Sequence, residues 1–154
     1  MNRIEQLRTY IDDILLQMED VVERRCAYIH LYGVAQSCAL IAKKRKLNAE
    51  LATMSGMLHD FYLYKYMDNF NHAHKGAVLA KEVLKELSIT TEEETDQICA
   101  AIYNHSDKAI INSDFDELLK DADVMQHCLY NPTIEIMAHE TERFERLRKE
   151  FGLI

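Results

Sequence analysis

The chain has 154 residues, the length of one ordinary domain, of which 48% are hydrophobic and 29% charged. Its 18 Lys and Arg residues stand against 26 Asp and Glu residues, and this net charge of −8 disfavours nucleic-acid binding. No apolar run approaches the length that spans a membrane, the first residues do not resemble a secretory signal, and the four cysteines form no CxxC pair. We therefore expect a cytoplasmic protein with free thiols that binds neither nucleic acid nor membrane.

Few helix breakers interrupt the chain, which contains only four Gly and one Pro. Apolar residues at steps of three and four predict an N-terminal helix over residues 3–24. A second helix is predicted over 26–46, and the basic stretch KKRK at its end is expected to be solvated. Further helices are predicted over residues 49–60, 72–87, 92–106, 115–129 and 133–151, the last with Pro132 in its first turn.

No stretch alternates as a strand would, and residues 61–71 break the helical pattern as a loop. We therefore predict an all-α fold: a single domain over residues 1–154, built as a bundle of about seven helices. The N-terminal and C-terminal helices are expected to pack on the central part of this bundle.

Helical periodicity separates the histidines into two groups. His74 and His139 lie beside charged residues and are expected to face water, whereas four others lie on apolar or small faces: His30, His59, His72 and His105. A lone buried histidine is usually a hydrogen-bonded core residue. Four on four helices, with Asp60 beside one of them, favour a shared cation because imidazole and carboxylate are common metal ligands.

Two carboxylate questions follow from this pattern. His59 and Asp60 are neighbours and point about 100° apart on a helix, so they cannot chelate one ion from its middle. They can do so at a helix end, where GMLHD is predicted to lie, or if the aspartate sits between two ions. In the stretch LLKDADVMQH, periodicity leaves both Asp121 and Asp123 as candidates for a further ligand.

Five phrases together resemble the HD-domain superfamily of metal-dependent phosphohydrolases. They are HLYGVAQS (30–37), GMLHD (56–60), HAHKGA (72–77), AAIYNH (100–105) and KDADVM (120–125). Their order, with two apolar-flanked histidines, the His-Asp pair and a late aspartate, covers roughly residues 26–130. The dipeptide HD alone is weak, but five phrases in order are specific.

The resemblance implies a ligand set for one or two divalent ions, whether Fe, Mn, Mg, Ni or Zn. The core ligands would be His30, His59, Asp60 and Asp123, since the second Asp of DAD matches the family's final aspartate. In the bacterial diadenosine tetraphosphate hydrolase branch, extra histidines similar to His72 and His105 hold a second metal. Asp60 would then bridge the ions, which activate water. With one ion, His72 and His105 would hold the phosphate or protonate the leaving group.

The resemblance further implies hydrolysis of a small phosphorylated substrate, a nucleotide or another metabolite, as a phosphomonoester or a phosphodiester. One departure is that several branches place a lysine two or three residues after HD, whereas the first here is Lys65, five after Asp60. Lys65 is therefore expected to be a solvated loop residue. The alternatives are a non-catalytic ligand-sensing HD module and, less favoured, an HD-type di-iron oxygenase.

Two surfaces leave alternatives open. The aromatic side chains of residues 62–70 either cover the bundle, as we expect, or stack on a nucleobase: Tyr62, Tyr64, Tyr66 and Phe70. The C-terminal helix either packs on its own bundle, which is simpler, or pairs with a second copy in a homodimer.

Overall fold

The computed structural model describes residues 2–154, which form eight helices and no strand. In chain order these are α1 (Arg3–Leu15), α2 (Val21–Arg45), α3 (Ala49–Leu58), α4 (Phe61–Tyr66), α5 (His72–Leu87), α6 (Glu92–Asn104), α7 (Asp114–Tyr130) and α8 (Ala138–Glu150). The all-α prediction is confirmed, with α4 as the additional helix. None of these helices combines the length and apolar character needed to cross a membrane.

The prediction of one helix over residues 3–24 is wrong, because α1 ends at Leu15 and α2 already begins at Val21. The physical reason is a cap that periodicity does not reveal. The Asp20 carboxylate accepts hydrogen bonds from the backbone N–H groups of Val22 and Glu23, at 2.8 and 3.0 Å, and so starts a new helix.

Two other boundaries also differ. Residues 61–66 form the short helix α4 rather than a loop, and Met67, with a positive φ of 51°, ends it. The last helix begins at Ala138 instead of residue 133. There the side chain of Asn131 accepts hydrogen bonds from the backbone N–H and the hydroxyl of Thr133, which closes a turn around the proline.

The long helix α2 packs against both α3 and α7 and forms the centre of the bundle. Gly56 allows α2 and α3 to approach closely: a Cβ at Gly56 would lie 2.7 Å from the Cα and 2.8 Å from the backbone N of Ala35. Because the obstacle is backbone and cannot rotate away, only glycine fits at this crossing. The close approach brings His30 on α2 and His59 at the end of α3 within reach of each other.

Helix ends and helix middles converge on one polar cluster inside this apolar bundle. His59 and His105 are the C-cap residues of α3 and α6, and His72 is the first residue of α5. His30 and Asp123 project from inside α2 and α7. The HD pair therefore lies at a helix end, as predicted, and neighbouring residues can both reach the cluster.

Candidate metal centre

Two buried histidines of the cluster are fixed through their Nδ1 atoms. His59 donates from Nδ1 to the carbonyl of Gly56 at 2.8 Å, and His105 donates to the carbonyl of Ile102 at 2.6 Å. A carbonyl oxygen can only accept, so Nδ1 carries the hydrogen in both rings. In the neutral rings Nε2 therefore presents its lone pair to the cluster, which is the arrangement a metal-binding histidine requires.

The other two candidate histidines have the same orientation. His72 donates from Nδ1 to the carbonyl of Asn69 at 3.2 Å, and the His30 Nδ1 lies 2.9 Å from Gln126 Oε1. His30 and Gln126 are buried, whereas the side chain of His72 retains 20% exposure. All four Nε2 atoms thus point inward, with the His72 side of the cluster open to solvent.

The Nε2 atoms of His30 and His59 lie only 3.0 Å apart. Burial lowers the pKa of His59 to about 4, so this ring is neutral near pH 7. Burial would also lower the pKa of His30, but its hydrogen bond to Asp60 and the charges of Asp123 and Asp60 outweigh burial and raise it. The space between these two nitrogens and the Asp60 carboxylate therefore favours a positive charge, which a metal cation can supply.

Asp60 joins two groups of histidines through its two oxygens. Its Oδ2 lies 3.1 Å from the Nε2 of His30 and 3.4 Å from that of His59. Its Oδ1 lies 3.1 Å from the Nε2 of His105 and 3.3 Å from that of His72. Burial would raise the pKa of Asp60, but the surrounding imidazoles, His59 first, hold it well below its usual value. The carboxylate is therefore ionised and faces both groups.

Asp123 presents a buried oxygen with no hydrogen-bond partner among the described residues. This atom, Oδ1, lies 3.7 Å from the Nε2 of His30, 3.8 Å from that of His59 and 3.3 Å from that of His127. Its other oxygen accepts a hydrogen bond from Lys108 Nζ at 2.7 Å. Burial would raise the pKa of Asp123, but Lys108 and then the imidazoles keep it well below its usual range. An ionised, unpaired buried oxygen is costly unless a cation binds it.

This donor set fits a divalent metal ion. Three overlapping groups have ligand atoms within 4.8 Å of one another: His30 with His59 and Asp60, Asp60 with His72 and His105, and His30 with Asp123 and His127. Imidazole and carboxylate together suit Fe, Mn, Ni and Zn, and carboxylates suit Mg. The shared Asp60 gives room for one ion or for two.

The structure brings all six predicted site residues together: His30, His59, Asp60, His72, His105 and Asp123. The other candidate aspartate lies outside this cluster. Asp121, which periodicity left open, pairs instead with Arg45 and Arg143, each at 2.6 Å. His74 and His139 are exposed, as predicted. The Lys65 ammonium lies 5.2 Å from the centre of the Tyr66 ring, and no ion pair connects it to the described cluster residues.

Sequence reasoning missed three residues of the cluster. His127 lies one helical turn after Asp123, and its Nδ1 also lies 2.9 Å from the buried carboxylate of Glu140 on α8. Gln126, which orients His30, precedes it directly. The spacing of Asp123 and His127 was a visible signal for one of the three. Nothing local indicates that Lys108, in the loop before α7, reaches Asp123.

The loop that carries Lys108 is fixed by hydrogen bonds from two buried basic side chains. Arg143 on α8 donates to the carbonyl of Lys108 at 3.1 Å. Lys120 on α7 donates to the carbonyl of Ile110 at 2.7 Å and to the side chain of Asn112 at 2.6 Å. Lys108 is therefore presented to Asp123 by a fixed loop, and we interpret it as the group that orients this carboxylate.

A Lys108→Met substitution is expected to destabilise the metal-free protein by about 2 kcal/mol, because it leaves both oxygens of a buried carboxylate unpaired. Adding Mn²⁺ should restore most of this loss, since a cation then neutralises Asp123 instead. Thermal unfolding with chelator and with Mn²⁺ measures both states, and the gap between the two midpoints should widen relative to the unmodified protein.

Lys65→Met is the matched control, because it makes the same Lys-to-Met change at a position outside the cluster. It should leave the gap between the midpoints unchanged. If Lys108→Met lowers both midpoints equally, Lys108 only anchors its loop and does not orient Asp123.

Comparison with known proteins shows the family to which the chain belongs. The HD-domain family model matches residues 27–127, about two thirds of the chain. A solved structure, a "predicted HD superfamily hydrolase" from an uncultured Thermotogales bacterium, shares the fold with a TM-score of 0.66 at 17% identity, covering 99% of this chain and 89% of its own. Among curated proteins no sequence matches significantly. The matched segment contains every residue of the three donor groups, and the chain therefore belongs to the HD-domain family.

Proposed function

We propose that the protein is a metal-dependent phosphohydrolase that acts on a small phosphorylated molecule, such as a nucleotide. The observation that carries the proposal is the unpaired, buried Oδ1 of Asp123 facing the Nε2 atoms of His30 and His59. Lys108 pairs with the other oxygen of Asp123, and a cation bound between Oδ1 and the two imidazoles would offset the remaining cost of burying this oxygen. Family membership and the hydrolase-like fold are consistent with this assignment.

In the proposed reaction, the residues of the cluster would form two cation sites that share Asp60. His30, His59, Asp60 and Asp123 would hold one cation, and Asp60 with His72 and His105 would hold a second. A divalent cation at such a site lowers the pKa of water and withdraws charge from a phosphoryl oxygen. If one cation binds, His72 is free to hold a phosphate oxygen or move a proton. The Ser106 hydroxyl, 3.1 Å from its Nε2, then helps to position it.

The experiment that tests the proposal combines elemental analysis with a phosphate-release assay on protein purified without chelator. We expect one or two divalent ions per chain and hydrolysis of phosphate esters that stops with chelator and returns with Mn²⁺ or Fe²⁺. Two ions would place His72 and His105 among the ligands. No bound metal, even after reloading, would contradict the proposal and favour the ligand-sensing module.

The di-iron oxygenase is tested in the same preparation, because the donor set also suits iron. Oxygen consumption with an organic substrate under ferrous conditions, without phosphate release from any ester, would identify that chemistry. Phosphate release in the absence of oxygen would support the hydrolase.

A further inference from the structure

A cavity of about 270 Å³ opens directly onto the cluster between α2, α4 and α7. His30 and Asp60 of the cluster are among the residues that line it. Its volume is slightly below the range of about 300–1,000 Å³ that is common for small-molecule sites. A ligand that places a phosphoryl group at the cluster can therefore extend into this cavity only with a compact group.

Four of the eight residues that line the cavity are apolar or aromatic, and the other four are His30, Asp60, Gln126 and His127. Ile29 and Cys26 on α2 face Tyr64 on α4, and Tyr130 lies at the end of α7. Burial, and then the charge of Asp60, raise the pKa of Tyr64, so its hydroxyl is neutral and can donate a hydrogen bond. Such walls suit the ring of a nucleoside or a sugar.

The polar part of the wall offers neutral donors. Gln126 lines the cavity, its Oε1 holds His30, and its side-chain nitrogen lies beside Gly33 with no hydrogen-bond partner among the described residues. An amide donor in a concave site recognises a hydroxyl or carbonyl group.

The cavity lacks the charge that a chain of phosphates requires. Among the described residues that line it, none is Lys or Arg. His127 lines it too, and its two ring nitrogens are directed at the carboxylates of Asp123 and Glu140, at 3.3 and 2.9 Å, rather than at the cavity. Polyphosphate sites instead depend on Arg or Lys contacts or on further bound cations.

We propose, resting on the function proposed above, that this cavity holds the leaving group and that the leaving group is an uncharged alcohol. The substrate is then the monophosphate ester of a nucleoside or a sugar, not a nucleoside di- or triphosphate cleaved between its phosphates. Hydrolysis forms a bond between the water oxygen and phosphorus, breaks the ester P–O bond and transfers a proton from water to the released oxygen. The products are the alcohol and inorganic phosphate, with no change of oxidation state.

The test compares phosphate release from AMP and ribose 5-phosphate with release from ADP and ATP, using Mn²⁺-loaded protein. We expect kcat/KM for the best monophosphate to exceed that for ADP by at least about tenfold, because the charged leaving group of ADP would enter a cavity without Arg or Lys. An Ile29→Arg substitution places a cation on the wall and should reduce this ratio by about tenfold.

Leu40→Arg is the matched control, because Leu40 is an exposed apolar residue on the same helix, outside the cavity. Its ratio of AMP to ADP should equal that of the unmodified protein. Preferential cleavage of ADP or ATP by the unmodified protein would overturn the inference. Equal ratios in the two arginine variants would also overturn it.

Failure of the proposed function has a separate signature. If the loaded protein hydrolyses no phosphate ester, the phosphohydrolase is contradicted, and calorimetric titration with AMP and ADP then decides the cavity assignment. If AMP binds more tightly than ADP, and Ile29→Arg but not Leu40→Arg reverses this order, the cavity accepts an uncharged group as inferred. Equal binding of the two nucleotides would contradict it.

Discussion

In the proposed phosphohydrolase, an Asp60→Asn substitution is expected to abolish both metal binding and phosphate release while the protein remains folded. The substitution keeps the shape of the side chain but removes the charge that faces His30 and His59 on one side and His72 and His105 on the other. Changing an outer-sphere partner of a metal typically costs about 10–100-fold in affinity, so a carboxylate shared by both groups should cost more than about 100-fold. Metal content after gel filtration and phosphate release measure the two losses.

Asp13→Asn is the control for this prediction, since Asp13 is an exposed aspartate on α1. It should retain metal and activity. Asp123→Asn provides a graded comparison, because Asp123 lies near His30, His59 and His127 but belongs to no donor group with His72 or His105, so its loss should remove one ion of two. An Asp60→Asn protein that keeps its metal and turns over substrate would contradict the site.

Asp121→Ala is expected to lower the free energy of unfolding by about 3 kcal/mol without loss of metal affinity in the folded protein. Both oxygens of this buried carboxylate accept from guanidinium groups, Arg45 on α2 and Arg143 on α8. Removing one partner of a buried ion pair costs about 3–5 kcal/mol because the other charge is left uncompensated. The lower end applies here, since Arg45 retains a second pair with Glu150. Urea unfolding in the presence of chelator measures the loss.

Asp114→Ala is the matched control on the same helix, because Asp114 is exposed in the first turn of α7. Its cost should stay below about 1 kcal/mol, the value of a charge near a helix N-terminus. The reverse pattern, in which Asp121→Ala loses metal and Asp123→Ala keeps it, would show that the wrong aspartate of the DAD motif has been assigned to the cluster.

The sequence predicted the fold class well because the signals for it are local. Apolar spacing and the scarcity of Gly and Pro are properties of neighbouring residues, and α5 matches its predicted bounds of 72 and 87. The errors occurred where a side chain competes with periodicity. Asp20 starts α2 within a run that was predicted as one helix, and the turn that Asn131 closes with Thr133 delays the start of α8 from residue 133 to Ala138.

The inward direction of the histidines could also be predicted, since a helical face is defined by residues three and four positions away. The choice between Asp121 and Asp123 could not, because it depends on which face of α7 meets α2 and α8. The basic stretch at the end of α2 shows the same limit: it was expected to be solvated, yet Arg45 pairs with Asp121 and Glu150. Lys108 was missed because its partner is set by loop packing.

The helix α8 lies beyond the segment that the HD-domain family model matches, yet two of its side chains contact residues that orient the cluster. Its Glu140 contacts His127, and its Arg143 fixes the loop of Lys108. A fragment ending near residue 130 would keep all six candidate ligands and lose the contacts of Glu140 and Arg143. The segment that the family model matches is thus shorter than the part of the chain that builds and orients the cluster. Substitutions at Glu140 or Arg143 are therefore expected to change the metal affinity of this protein although neither residue is a candidate ligand.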